Sequence, residues 1–252
     1  MPSLAGRLRA GETLISGWSA LPEPLVAEAI ARLGFDCVTL DMQHGLHDAR
    51  SVSQSIGGIV LAGKPAIVRI PVGDNAFASR ALDMGAQAVI APMINTVAEA
   101  RAFVAATKYP PVGERSWGPA RALALSGNSP QAHLETSNAG TLAFAMIETD
   151  RAVGALDDIL AVAGLDGVFV GPSDLSVTLS DGKKIAPFDA DLDVALRRIA
   201  DIANAAGKIA GAFTATAGRV KHFRSFGYRL LALGSDSAYL AAGATAMLDA
   251  LK

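Results

Sequence analysis

Short apolar segments alternate with longer amphipathic segments along almost the whole chain. The apolar segments are LISGW (14–18), CVTLD (37–41), AIVRI (66–70), AVIAP (88–92), FAMIE (144–148), GVFVG (167–171), IAGAF (209–213) and RLLALG (229–234). Each leads into a segment with helical periodicity, and several of those segments end in glycine, a frequent helix terminator. Short apolar strands followed by helices are typical of a parallel sheet that helices cover.

Eight such strand–helix units predict an α/β fold, a (β/α)₈ TIM barrel that forms a single domain over residues 1–252. The alternative is an open, doubly wound sheet, which usually needs fewer units. No GxGxxG motif follows the first strand, so nothing favours the dinucleotide-binding form of that sheet.

The C-terminal segment SAYLAAGATAML (237–248) differs from the other helical segments. It carries no charge, and small or apolar residues occupy most of its circumference. A helix on the solvated exterior of a barrel should instead have a polar face. We therefore expect this helix to pack on a neighbouring subunit, or to be swapped with it, in a homo-oligomer.

Composition narrows the classes of function. Hydrophobic residues make up 51% of the 252 residues and charged residues 18%, with a formal net charge of −2. These values argue against disorder, nucleic-acid binding and attraction to membrane surfaces, but they allow a small anionic substrate. No segment resembles a secretory signal or reaches the roughly 18 apolar residues of a membrane span, so we expect a cytoplasmic protein. The one cysteine, Cys37, can form no internal disulfide.

Polar residues stand where several predicted strands end. Reading along the chain, they are Trp18, Asp41 with nearby His44, Arg69, Glu148, and Asp174 just beyond the sixth strand. In a (β/α)₈ barrel the catalytic groups lie at the C-terminal ends of the strands. These residues are therefore the candidates for an active site that is rich in acids.

Glu148 and Asp174 follow neighbouring strands, so their carboxylates should converge. Two carboxylates without cysteine or a close histidine suit a partly hydrated, octahedral divalent ion, Mg²⁺, Mn²⁺ or Co²⁺ more than tetrahedral Zn²⁺. Two other interpretations remain open, in which Asp174 caps a short helix and Glu148 is a salt-bridge partner.

Arg69 and His44 are the candidates for charge stabilisation and proton transfer. Arg69 ends an apolar strand, where it could meet an anion or a developing oxyanion, or form a structural ion pair with one of the two acids. His44 is the candidate for proton transfer, because histidine is the side chain that most readily takes up and releases a proton near neutral pH. Lysines precede strands or lie in helices and loops, so Schiff-base chemistry is not expected.

A long interruption between the fourth and fifth strands, residues 109–142, contains Arg115, Trp117 and Arg121 together with several prolines and glycines. Insertions of this length commonly form lids or subunit contacts. A lid that contributes to substrate recognition and plain packing are equally compatible with its sequence.

Six motifs in order resemble the metal-dependent pyruvate aldolases of the 4-hydroxy-2-oxoheptanedioate aldolase family. They are DMQHGLHD, VRIPVGD, RALDMGAQAVIAPM, PPVGERSWGPARA, IET and GVFVGPSDLS, and the similarity covers nearly the whole chain. The resemblance implies a (β/α)₈ barrel in a hexamer and a divalent metal, Mg²⁺, Mn²⁺ or Co²⁺, that binds pyruvate through its carboxylate and keto oxygens.

The resemblance also implies roles for single residues. Glu148 and Asp174 would hold the metal, Arg69 would stabilise the enolate, and His44 would act in catalysis with Asp83. Trp18 would line the pyruvate pocket, and the GPSDLS segment would add substrate-binding residues, Gly171, Pro172 and Ser173. Met146 is a departure, because some relatives carry a polar glutamine two residues before the metal-binding glutamate.

The expected reaction is reversible cleavage of a 4-hydroxy-2-oxo acid to pyruvate and an aldehyde. Oxaloacetate decarboxylation and cleavage of a coenzyme A thioester are rivals that would use the same site, and a non-catalytic barrel that binds a small acid is a third. Asp83 ends the helix before the fourth strand, on the face opposite the active site. If Asp83 pairs with His44, it must therefore come from a neighbouring subunit.

Overall fold

A computed structural model describes residues 3–252 and contains the eight predicted strands. They are β1 (Leu14–Ser19), β2 (Cys37–Asp41), β3 (Ala66–Arg69), β4 (Ala88–Ala91), β5 (Leu142–Ile147), β6 (Gly167–Val170), β7 (Ile209–Thr214) and β8 (Leu230–Leu233). The strands pair in chain order, all parallel, and β1 pairs with β8 to close the sheet. The predicted (β/α)₈ barrel is confirmed.

Thirteen helices surround the barrel within the described residues. They are α1 (Leu4–Arg9), α2 (Pro24–Arg32), α3 (Ala49–Leu61), α4 (Asn75–Asp83), α5 (Val97–Thr107), α6 (Ala120–Ser126), α7 (Pro130–Gly140), α8 (Asp150–Gly154), α9 (Leu156–Leu160), α10 (Pro172–Leu179), α11 (Ala190–Ala205), α12 (Ala217–Ser225) and α13 (Asp236–Asp249). The segment expected as one helix after β5 is divided into α8 and α9. The pattern did not predict α1, α6, α7 or α10.

The strands are apolar on both faces because each face meets a different layer. One set of alternate residues, such as Val38 and Val68, packs against the surrounding helices. The other set, such as Ile67, Phe144 and Met146, forms a separate cluster inside the barrel. Since side chains alternate along a strand, the residues two positions beyond these inward residues also face the interior. Arg69 and Glu148 occupy such positions.

Helix α1 closes the N-terminal end of the barrel. Ser3 caps it by accepting a hydrogen bond from the Gly6 amide N–H at 3.1 Å. Leu4 and Leu8 are buried in the cluster of inward-facing strand residues. Because this end is filled by apolar side chains, polar chemistry is confined to the opposite end, where the strands terminate.

Helix α13 makes its main contacts with the barrel through its first turn. Asp236 is buried and accepts hydrogen bonds from the Ala20 and Leu21 amides at 2.7 and 2.8 Å. The Tyr239 hydroxyl accepts one from the Trp18 amide at 3.2 Å. From residue 240 onward every side chain is exposed in the single chain. The apolar circumference noted in the sequence is thus left uncovered by this chain's own barrel.

Within residues 3–252, none of the helices combines the length and the apolar character that a membrane crossing requires.

Candidate active site

Side chains from three neighbouring strands meet at the C-terminal opening of the barrel. Trp18 lies near the end of β1, Asp41 at the end of β2 and Arg69 at the end of β3, and all three are buried. The strand register places Thr39 beside Trp18, and Asp41 beside Arg69. Because parallel strands end on the same side of a sheet, these residues lie together although 51 residues separate the first from the last.

Asp41 and Arg69 form a buried, two-point ion pair. Arg69 donates from Nε to Oδ1 of Asp41 at 2.9 Å and from Nη2 to Oδ2 at 2.6 Å. The interpretation that Arg69 forms a structural ion pair is therefore correct, but its partner is Asp41 and not Glu148 or Asp174. Burial acts to raise the pKa of Asp41, yet the hydrogen bonds and charge of Arg69 outweigh it, so this pKa lies below its ordinary value.

Trp18 contacts both partners of this ion pair. Its indole Nε1 donates to Oδ2 of Asp41 at 3.3 Å, and the Arg69 guanidinium carbon lies 4.9 Å from the centroid of the indole ring. The indole also stacks on Phe169 and meets Phe213 edge-on, with centroids 6.1 and 5.2 Å apart. Cation–π and aromatic contacts of this kind hold the guanidinium plane in one orientation.

The same carboxylate shapes the loop that follows β2. Oδ1 of Asp41 accepts hydrogen bonds from the Gln43 and His44 amides, at 3.0 and 3.4 Å. Gly45 then passes so close to the Asp41 carbonyl oxygen that a Cβ would lie 2.3 Å from it. The polar end of the apolar strand CVTLD thus orders the loop, and the His44 side chain is exposed at the opening.

His47 is buried beneath this loop, although the sequence offered no reason to single it out. Its Nε2 and Nδ1 each lie 3.1 Å from a hydroxyl, that of Ser19 and that of Ser51 respectively. Burial lowers the pKa of His47 below its ordinary value. The ring joins the end of β1 to the first turn of α3, so it holds the C-terminal part of the His44 loop against the barrel.

Glu148 follows β5 directly and is 1% exposed. Its Oε2 accepts a hydrogen bond from the Met93 amide at 2.9 Å, whereas its Oε1 is buried with no hydrogen-bond partner. Burial raises the pKa of Glu148 to about 7, and the charge of Asp174 adds to the effect. Glu148 forms no ion pair within residues 3–252, so the salt-bridge interpretation is wrong for this chain.

Asp174 and Ser173 lie in the first turn of α10 and are exposed, while Gly171 and Pro172 are buried. Gly171 is the helix N-cap, so Asp174 is not the cap that one interpretation required. A Cβ on Gly171 would lie 2.6 Å from Oε1 of Glu148. Glycine at this position therefore leaves room for the carboxylate beside the start of α10.

The two acids fit a divalent ion whose coordination is completed by other ligands. Within the described residues no group of three or more His, Cys, Asp and Glu side chains could hold a metal. The fit rests instead on the buried, unpartnered Oε1 of Glu148, since a buried carboxylate oxygen without a donor is otherwise costly. Two carboxylates leave the remaining positions of an octahedral ion to water or to a chelating substrate.

Met146 faces the barrel interior and is 1% exposed, in the same cluster as Trp18 and Phe169. The barrel interior directly below Glu148 is therefore apolar at position 146.

Asp83 and the three candidate residues of the insertion lie at the opposite end of the barrel. Asp83 ends α4, and Nη2 of Arg115 donates to its Oδ1 at 2.6 Å. The Arg115 side chain is fully buried, Trp117 is 47% exposed and packs on Tyr109, and Arg121 is exposed. The insertion folds into α6 and α7, which precede β5 and so lie on the N-terminal side of the sheet. These residues do not reach the site of their own chain.

Comparison with known proteins places these features in one family. The family model described as HpcH/HpaI aldolase/citrate lyase matches residues 15–242. The chain is 37% identical over 234 residues to a hydroxypyruvate/pyruvate aldolase of Rhizorhabdus wittichii, with 93% of this chain and 92% of the relative covered. It is 38% identical over 251 residues to a 4-hydroxy-2-oxovalerate aldolase of Novosphingobium aromaticivorans, covering 96% of this chain and 91% of the relative.

A solved structure is similar over the full chain. It is an HpcH/HpaI aldolase/citrate lyase family protein from Burkholderia cenocepacia J2315, with a TM-score of 0.88 and 30% identity, and the match covers 100% of this chain and 99% of that one.

Proposed function

Because the chain belongs to the HpcH/HpaI aldolase/citrate lyase family, we propose that it is a divalent-metal-dependent aldolase. It would reversibly cleave 4-hydroxy-2-oxo acids to pyruvate and an aldehyde. The observation that supports this most is the unpartnered Oε1 of Glu148 at the same opening as the Arg69 guanidinium. The name of the Rhizorhabdus wittichii relative adds hydroxypyruvate as a second candidate for the released 2-oxo acid.

Glu148 and Asp174 are the residues that would hold the metal. When bound there, a divalent ion supplies Lewis acidity toward the carboxylate and keto oxygens of a 2-oxo acid. Mg²⁺, Mn²⁺ and Co²⁺ all suit two carboxylates and water. Binding requires the Glu148 carboxylate to be ionised, and burial works against that in the metal-free protein.

Arg69 would stabilise the negative charge that develops during cleavage. Asp41 uses the Nε and Nη2 groups of Arg69, which leaves Nη1 to donate to an oxyanion. As the C3–C4 bond breaks, its electron pair moves toward the keto oxygen and forms the enolate of pyruvate. A donor that Asp41 and Trp18 already orient needs little reorganisation to meet this charge.

His44 would move the proton of the reaction. In cleavage it accepts the proton of the C4 hydroxyl, the aldehyde leaves, and protonation of C3 completes pyruvate. In the condensation direction it returns a proton to the new hydroxyl. The exposed position of His44 above the ordered loop is compatible with this role, because the ring can reach a substrate from the opening.

We also propose that the active unit is a homo-oligomer, as in the hexamers that the resemblance implies. Two observations support it: Asp83 lies at the other end of the barrel from its own His44, and α13 leaves Leu240, Met247 and Leu248 exposed. A neighbouring subunit would cover α13 and supply Asp83 to His44. Arg115, Trp117 and Arg121 would then lie near the neighbour's aldehyde side.

Two rival reactions use the same chemistry. Oxaloacetate decarboxylation also forms the enolate of pyruvate, so it is a plausible side activity of the site. A thioester lyase of the citrate lyase type would need a basic groove for nucleotide phosphates, and the loops at the opening offer few lysines or arginines.

The proposal is tested by pyruvate release from 4-hydroxy-2-oxo acids in the presence of Mg²⁺, Mn²⁺ or Co²⁺. We expect release to require the metal and to be lost in Glu148→Ala and in Asp174→Ala. Asp158→Ala, at an exposed acid on α9, is the matched control and should retain activity. Full turnover in EDTA would refute metal dependence. Pyruvate release from oxaloacetate alone, or cleavage of a coenzyme A thioester alone, would favour the corresponding rival reaction.

A further inference from the structure

The turn between β4 and α5 has an unusual backbone. Met93 has φ of 55°, and it is one of two non-glycine residues with positive φ among the described residues. The left-handed region disfavours side chains, so a residue adopts it only where the surrounding structure holds it there. Such outliers gather at functional sites, so the contacts that hold this turn bear on the function of the neighbouring site.

The turn points a backbone donor at the proposed metal ligand. In this conformation the Met93 amide donates to Oε2 of Glu148 at 2.9 Å. The other oxygen, Oε1, has no hydrogen-bond partner and lies against Gly171. The amide thus decides which carboxylate oxygen is satisfied by the protein and which remains for the ion.

Asn95 holds the turn in place. Its Nδ2 donates to the Met93 carbonyl oxygen at 2.9 Å, and its Oδ1 accepts a hydrogen bond from the Thr149 hydroxyl. Thr149 directly follows Glu148 and caps α8 through the Ala152 amide. The Asn95 side chain therefore connects Met93, which donates to Glu148, with Thr149, which follows Glu148 in the chain.

From these contacts we propose that Asn95 is a positioning residue for the metal ligand Glu148. Its two hydrogen bonds keep the Met93 turn against the end of β5, so that Oε1 of Glu148 stays directed toward the ion. Asn95 itself touches neither substrate nor metal. The inference rests on the proposed function, because it requires that Glu148 binds a metal.

The test is the dissociation constant for Mn²⁺ without substrate, measured by electron paramagnetic resonance or calorimetry. Asn95→Ala should weaken Mn²⁺ binding by about 10- to 100-fold, which is the usual effect of losing a group that orients a metal ligand. The thermal midpoint of the metal-free protein should fall by no more than about 2–4 °C. Asn128→Ala, at an exposed asparagine of the insertion between α6 and α7, is the matched control and should leave the constant unchanged.

Further variants separate positioning from general damage. Thr149→Ser keeps the hydroxyl and should bind Mn²⁺ like the wild type, whereas Thr149→Val should weaken binding. If both residues act through one connection, Asn95→Ala combined with Thr149→Val should bind no more weakly than the worse single variant. Asn95→Asp, which keeps the acceptor but loses the donor to Met93, serves if the alanine variant does not fold.

The outcomes distinguish this inference from the proposed function. If the wild type binds no Mn²⁺ and shows no metal-dependent turnover, the proposed function fails. If the wild type binds Mn²⁺ and Asn95→Ala and Asn95→Asp bind it within twofold of the wild type, the function stands and the role of Asn95 is overturned. Additive losses in the double variant would likewise overturn a shared connection.

Discussion

Replacing Asp41 by asparagine removes the charge that holds Arg69, the Trp18 indole and the backbone of the His44 loop. The variant keeps the shape of the side chain, so any loss comes from charge and hydrogen bonding. Arg69 would remain in the barrel opening, 8% exposed, without an ionised partner. The amide oxygen can replace one carboxylate oxygen and accept from its donors, but the NH₂ group would then face the donors that now bind the other oxygen.

The expected loss of stability follows from this burial. Removing one partner of a buried ion pair costs about 3–5 kcal/mol, because the remaining charge is uncompensated. Asp41 is 3% exposed and Arg69 is close to the open end of the barrel, so we expect the lower part of that range, about 3 kcal/mol. For a chain of this size, this corresponds to a fall of about 6–12 °C in the thermal midpoint.

A second variant separates charge from position. Asp41→Asn combined with Arg69→Met removes both charges, and such replacements are often close to neutral for stability. We expect the double variant to recover most of the lost stability, to within about 1 kcal/mol of the wild type. Aldol cleavage should fall by about 100-fold or more in both variants, since the guanidinium is misplaced in one and absent in the other.

The measurements are urea and thermal unfolding at a fixed protein concentration, together with kcat/KM for aldol cleavage. If Asp41→Asn lowers the free energy of unfolding by less than about 1 kcal/mol, the Asp41–Arg69 pair behaves like an exposed ion pair and not like a buried one. If the double variant is as unstable as the single one, the loss comes from the hydrogen bonds of Asp41 to Trp18 and to the His44 loop rather than from an uncompensated charge.

Four further results are expected. Gly171→Ala places a Cβ against Oε1 of Glu148, so calorimetry should show at least about 10-fold weaker metal binding with little change in stability. Burial lowers the pKa of His47, so below its ordinary value of 6.5 the unfolded chain binds a proton that the folded chain does not. Stability should therefore be full above that pH and fall on acidification, and urea unfolding should show a flatter pH dependence in His47→Gln. Arg69→Lys keeps the charge but loses the fork that Asp41 orients, so both aldol cleavage and exchange of the pyruvate methyl protons into D₂O should fall steeply. By contrast, His44→Ala should depress cleavage more than exchange, and equal losses would indicate a structural role.

The strands and the larger helices could be predicted because their signals are local. Strand β2, residues 37–41, was expected and found with the same bounds, since burial of both faces gives a short, continuous apolar segment. Helices α1 and α10 were missed because six and eight residues give barely two turns of periodicity. Helices α6 and α7 are largely exposed, so no apolar stripe revealed them.

The residues of the candidate site also fall into two groups, those that the sequence indicated and those that only the structure revealed. Sequence alone pointed to Trp18, Arg69 and Glu148, because polar or aromatic groups that end apolar strands stand out from their neighbours. It did not indicate Met93, Asn95 or His47, whose importance comes from a backbone conformation and from contacts with distant segments.

What the sequence determined by itself was the order of strands and helices and the face of the barrel on which each strand-end residue lies, since both follow from periods of two and about 3.6 residues. Only the tertiary structure decided that Arg69 pairs with Asp41 rather than with Glu148 or Asp174. That choice depends on the register of β2 against β3, which places Asp41 beside Arg69. In a closed barrel the register of each strand pair is tied to the stagger of all eight strands, which no local pattern contains.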